Sequence, residues 1–149
     1  MQIKLEKPGK LIALTLKEWR LLLVSIILLP LVALLLWFIG FNRSQSFLSH
    51  FITTGIKRND STPSAMDDVR IITRMVRIAV NHGPWRANCL KQALVLWWLL
   101  ARRGLNSEIK FGVEKTFDDA IDAHAWVEYN GMNLCDSADF QHQYFVLEP

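Results

Sequence analysis

From Leu21 to Phe41 the chain reads LLLVSIILLPLVALLLWFIGF, a run without charge, interrupted only by Ser25, Pro30 and Gly40. No other stretch constrains the fold as strongly, because so much apolar surface must be packed away from water or placed in lipid. As one helix the run would extend roughly 31 Å, enough to cross a bilayer. Lys4, Lys7, Lys10, Lys17 and Arg20 precede it, and only Arg43, Lys57 and Arg58 follow closely. A single span would therefore keep the N-terminus in the cytoplasm and place the rest outside. The basic leader is long and no small-residue cleavage site follows, which argues against a cleaved signal peptide. Pro30 offers another reading. Proline removes a donor and clashes with the preceding turn, which predicts two helices meeting at residues 29–31. The first continues upstream through Leu11, Leu14 and Trp19, and such helices would pack on a soluble core, dock a partner or lie on a membrane.

The remaining composition narrows the class. At 149 residues the chain has room for one domain, and with 51% hydrophobic and 21% charged residues it is not a disordered sequence. Its net charge of +3 is small and evenly spread, which excludes nucleic acid as the expected partner. Two cysteines are too few for a secreted disulfide framework, so their chemistry is expected to be that of thiols. The polar stretch TTGIKRNDSTPS divides the chain into an apolar helical region (1–52), a linker (53–64) and a main domain (65–149).

Within the main domain, Thr62 and Pro63 form a cap and first position for a helix whose Val69, Ile72, Met75, Val76 and Ala79 recur at helical spacing. It should end by Gly83-Pro84. A second helix, NCLKQALVLWWLLARR over 88–103, is apolar around its circumference and closed by Gly104, which predicts a buried central helix. Strands are expected at Glu108–Val113, Ala123–Tyr129, Met132–Asp136 and Tyr144–Leu147, with Asn130-Gly131 as the hairpin turn. The predicted class is α+β: a buried helix packed on a small antiparallel sheet, preceded by the apolar helical region.

Three residues form a candidate triad. With Asn88 as the cap, Cys89 lies in the first turn of the central helix, where the macrodipole favours the reactive thiolate. The competing reading is a small buried residue at the start of a core helix. His124 stands in a strand between Ala123 and Ala125, with space around its ring. A three-residue loop, Tyr129-Asn130-Gly131, would pair Glu128 with Met132 and set Asp136 opposite His124 on one face, where the carboxylate can accept the imidazole N–H. We expect that register. A two-residue turn would set His124 opposite Ser137 and send Asp136 to the other face, which removes the pair unless Asp136 lies past the end of the ladder. The three residues then make nucleophile, base and orienting group. The Cys89 backbone N–H is the oxyanion donor, joined by the side chain of Asn88 or Gln92.

This order of Cys, His and Asp resembles the transglutaminase-like (papain-like) cysteine enzymes. More closely, NCLKQALVLWWLLARRG at 88–104 and AHAWVE at 123–128 resemble the protease of lasso peptide biosynthesis, the family of the microcin-processing B proteins. The resemblance covers most of residues 60–149, with Asp136 twelve residues after His124. It implies a transglutaminase-like cysteine protease fold and a leader peptidase that cuts a precursor peptide after its leader. That cut frees the amine which an asparagine synthetase-like macrolactam cyclase joins to a carboxylate. Some members carry an N-terminal winged-helix recognition domain. The first 60 residues here are too apolar for one and lack strand alternation, so the chain resembles the stand-alone protease half, with leader recognition supplied by a small partner protein. The family's ATP-linked activity has no P-loop here to carry it and is assigned to the cyclase or the assembled complex. Work on a ribosomal precursor implies the cytoplasm. Residues 11–41 are then expected to associate with the domain, the inner membrane or an exporter rather than to span. Two other readings share the fold: a membrane-anchored peptide-binding module without catalysis, and a thiol acyltransferase.

The other chemistry-bearing residues read more plainly. Trp126 shares the predicted face of His124, and Trp85 closely precedes the nucleophile; both are substrate-binding candidates or simply core. Cys135 points away from Asp136 and reads as packing. A zinc site built from Cys89, His124, Cys135 and Asp136 lacks any close ligand pair, so no metal is expected. His50, His82 and His142 have no motif around them, and Asp118, Asp119 and Asp122 read as a solvated loop.

Overall fold

In the computed structural model, which describes residues 14–50, 63–84, 87–115, 121–134 and 145–147, the apolar run forms one element, α1 (Leu16–His50). It opens with a capping box. The Thr15 N–H donates to Glu18 Oε2 at 2.7 Å, and the Glu18 N–H donates back to Thr15 Oγ1 at 3.4 Å. The helix continues through Pro30, so the expected division at residues 29–31 does not occur. Leu28, Leu29 and Val32 are buried on both sides of the proline, and their packing holds the axis where the local rule would break it. The break comes at Gly40 instead, with φ 74° and ψ 176°, a conformation essentially confined to glycine. The indole Nε1–H of Trp98 donates to the Leu48 carbonyl at 3.1 Å, which ties the segment beyond the break to the third helix.

α2 (Pro63–His82) begins at the predicted proline and buries Val69, Ile72, Met75, Val76 and Ala79, the stripe its spacing predicts. α3 (Cys89–Ala101) is buried along most of its length, including Leu94, Val95, Leu96 and Leu100. It ends as expected at Gly104 (φ 72°). The Gly104 and Leu105 N–H groups donate to the carbonyls of Ala101 and Leu100 in a Schellman closure. α3 packs against α1, α2 and the sheet, and is the central element of the domain. An Arg103–Asp68 ion pair of 3.1 Å ties its end to the first turns of α2.

β1 (Glu108–Lys115), β2 (Ile121–Tyr129), β3 (Met132–Asn133) and β4 (Phe145–Leu147) form one antiparallel sheet in the order β3-β2-β1-β4. Ala125, Val127 and Tyr129 alternate along β2 as fully covered positions, so one face of the strand is core throughout. Phe111 of β1, paired with Ala125 on that face, meets Phe41 of α1 edge to face at 5.0 Å. Each such large apolar side chain contributes about 1.5–3 kcal/mol when removed from water. α1 donates Leu21, Leu22, Leu28, Leu29, Val32 and Leu48 to the same core cluster as α2, α3 and β2. The predicted α+β class is what the chain adopts.

Candidate active site

Asn88 starts α3 in extended backbone (φ −83°, ψ 170°), and its Oδ1 accepts the Lys91 N–H at 3.2 Å. This is the preferred N-cap geometry, in which a short polar side chain satisfies a donor that the helix leaves over. Cys89 is therefore the first helical residue. Its thiol is free and half-buried against the core. The first intrahelical bond runs from the Gln92 N–H to the Asn88 carbonyl at 3.1 Å, and the cap takes Lys91. The N–H groups of Cys89 and Leu90 thus head the helix, where its dipole is positive and an anion is favoured. Gln92, also half-buried, lies one turn from Cys89.

His124 lies within β2, half-buried and directly paired with Gly112 of β1. Its ring stacks with that of Trp126, two residues on and on the same face, at a centroid distance of 6.2 Å and an interplanar angle of 20°. Trp126 is buried, so one side of the imidazole is fixed by an aromatic wall. Lys110 pairs with Trp126 across the strands and shares that face. α3 packs on β2, so the elements carrying Cys89 and His124 are neighbours. Among the described residues no hydrogen bond joins the two side chains.

The β2–β3 turn corrects the expected register. Asn130 (φ 48°) and Gly131 (φ 74°) both take left-handed conformations, and Tyr129 pairs with Met132, Glu128 with Asn133. This is a two-residue loop with positive φ at both central positions, the turn whose twist matches that of the flanking strands. The three-residue loop, with Glu128 opposite Met132, is not formed. The Leu134 N–H still bonds the Val127 carbonyl at 2.9 Å, the last described contact of this edge. The ladder therefore does not set positions 124 and 136 opposite each other. Asp136 itself lies outside the described residues, as do Trp85, Cys135 and His142.

One residue went unremarked in the sequence. Gly112 is buried and faces His124 across the strand pair, so no side chain flanks the imidazole there. The signal was present, since a glycine inside a strand marks a place where another group approaches the backbone closely.

A family model described as the Transglutaminase-like superfamily matches residues 34–148. The chain belongs to the transglutaminase-like superfamily. This superfamily includes cysteine peptidases and acyltransferases. The match begins within α1 and takes in α2, α3 and all four strands, so the helix that presents Cys89 and the strand that holds His124 both fall inside it. No curated protein and no solved structure gives a significant match.

Proposed function

We propose that this chain is a cysteine peptidase, the leader peptidase of lasso peptide biosynthesis. The observation that carries the chemistry is Cys89 as the first residue of an Asn88-capped, buried helix in a chain of the transglutaminase-like superfamily. The finer assignment is supported by the likeness of residues 88–104 and 123–128 to the lasso protease.

In this reading His124 takes the Cys89 proton, and the thiolate attacks the carbonyl carbon at the end of the leader. The negative charge on the carbonyl oxygen is held by the Cys89 N–H, with a further donor from Asn88 or Gln92. Collapse breaks the C–N bond, and the leaving amine takes the proton back from His124. Water then attacks the thioester, with His124 again as base, releasing the leader acid and the free thiol. Asp136, which follows the end of the short β3 ladder at Asn133 and so is not bound by its register, is assigned to hold the imidazole tautomer, and Trp85 and Trp126 line the peptide path. The freed amine passes to the asparagine synthetase-like cyclase, where ATP is used. A small recognition protein holds the leader.

The test is direct. The protein and its Cys89→Ala variant are incubated with the precursor peptide and the recognition partner, and the products are weighed. Wild-type protein should yield leader and core with the mass of one water added across the bond, and Cys89→Ala should yield neither. Cys135→Ser should cleave normally. Cleavage that persists without Cys89 overturns the thiol mechanism. Transfer of the leader acyl group to an added amine, in preference to water, would identify an acyltransferase instead.

A further inference from the structure

The outer side of α1 has no role in the chemistry above, and among the described residues it gathers most of the exposed large apolar side chains. At 100° per residue, Leu21, Leu22, Ser25, Leu28, Leu29 and Val32 fall on one side of α1, and all are buried. Leu23, Val24, Ile27, Leu31, Leu34 and Phe38 fall on the other, and all are exposed, Ile27 at 66% and Phe38 at 67%. Only 28% of the helix's most apolar stretch is covered by the rest of the fold, far too little for a core helix. Scattered exposed leucines are ordinary, but a continuous ridge of this kind marks an interaction surface.

We infer that this ridge docks on an anionic lipid surface, with α1 lying in the membrane plane rather than crossing it. Three observations select lipid as the occupant. The ridge from Leu23 to Phe38 carries no polar side chain, so it offers a partner protein no hydrogen bond by which to fix register. Exposed Trp19 and Trp37 lie five turns apart on the same flank of the helix, where indoles would sit at headgroup level along its length. Arg20, in line with the ridge at its start, and Arg43, beyond its end, are exposed cations. The one acid of α1, Glu18, is turned to the domain, where it meets Thr15 and Arg74. Cationic ends on an apolar ridge complement anionic headgroups.

The packing selects the orientation. α2 and α3 pack on α1 and cover Leu28, Leu29 and Val32 in the middle of its apolar run, so a membrane-crossing α1 would draw the packed domain, with its charged surface, to hydrocarbon depth, which is strongly unfavourable. Lying flat, only the ridge enters, to about 5–10 Å, and the domain stays in water.

Purified full-length chain is tested by co-sedimentation with vesicles of phosphatidylcholine alone and with about one-third phosphatidylglycerol. Binding should be stronger to the anionic vesicles. Ile27→Glu with Leu31→Glu should lower it roughly tenfold or more, with the circular dichroism spectrum and Tm unchanged because both positions face outward. Arg20→Glu and Arg43→Glu should each weaken anionic binding about fivefold. Nitroxides placed singly at positions 23, 27 and 34 in a Cys89→Ala, Cys135→Ser background should report one shared shallow depth. Failure to bind either vesicle overturns the inference. So does a depth that changes steadily along the helix, or a soluble dimer that the Ile27 and Leu31 changes dissolve.

Discussion

The indole N–H of Trp98 reaches the backbone carbonyl of Leu48 across 3.1 Å, joining two residues fifty positions apart in the chain. Trp98 is buried, and its ring also carries the Arg102 guanidinium at 4.8 Å from the centroid. This one side chain therefore fixes the part of α1 beyond Gly40 against α3, the helix that presents Cys89. Trp98→Phe keeps most of the ring packing and removes the donor. It should cost about 1–3 kcal/mol, seen as a fall of several degrees in Tm. Trp98→Ala adds a cavity and should cost about 3–5 kcal/mol.

The cap beneath the nucleophile separates stability from chemistry. Asn88→Ala removes the acceptor of the Lys91 N–H and should lower stability by about 1 kcal/mol in chemical denaturation. Asn88→Ser supplies a hydroxyl oxygen as acceptor in place of the amide oxygen and should keep most of that stability. If Asn88 is also the oxyanion donor, Asn88→Ser will still lower kcat by about 10²–10³ at that stability. A Gln92→Ala variant that loses kcat while Asn88→Ser does not assigns the donor to Gln92.

Gly112 leaves the strand position opposite His124 without a side chain. Gly112→Ala places a methyl group beside the imidazole while improving strand propensity, so stability should change by less than about 1 kcal/mol. Peptide cleavage should fall by about 10²-fold if the group displaces the base by as little as an ångström. Unchanged kcat/KM in this variant would show that the opening beside His124 is not used.

Glu18 gives the fold an acid-sensitive contact. The Thr15 backbone N–H and hydroxyl, and secondarily the Arg74 guanidinium at 3.8 Å, hold its carboxyl below the ordinary 4.5, against the opposing effect of burial. A depressed folded pKa stabilises the protein above the unfolded value, and the contribution is lost as pH falls through the folded one. The stability difference between wild type and Glu18→Gln should therefore be constant above about pH 5.5 and shrink progressively below about pH 4.5. A difference that grows on acidification would contradict the capping-box reading.

Much of this architecture was legible in the sequence, and what was not has local physical causes. α2 was readable because Val69, Ile72, Met75, Val76 and Ala79 mark one wet and one dry side. α3 was readable because its cap, apolar body and closing Gly104 agree. α1 was harder, since a helix apolar all round carries no periodicity to say which side is covered, and only contact with α2 and α3 separates Leu28 from Ile27. Pro30 misled because its local penalty is outweighed by the burial of its neighbours, whereas Gly40 gave no warning beyond being a glycine. The Asn130-Gly131 pair announced a hairpin correctly, but the same dipeptide serves two- and three-residue loops. That single-residue difference decides which face every later side chain takes. Cys89 at a helix start was legible from neighbours in sequence; its relation to His124 depends on how α3 settles on β2, which no local pattern encodes.

Gly40 also acts as a ruler. A substituent there would meet nothing within 4 Å, so Gly40→Ala meets only the backbone's own objection to φ 74°, ψ 176°. The conformation that glycine adopts there ends the first helical axis just past Phe38 and limits the uncovered ridge, counted from Leu23, to roughly 22 Å. Whatever lies against this side of the protein is offered a footprint of set length, marked off by one residue with no side chain of its own.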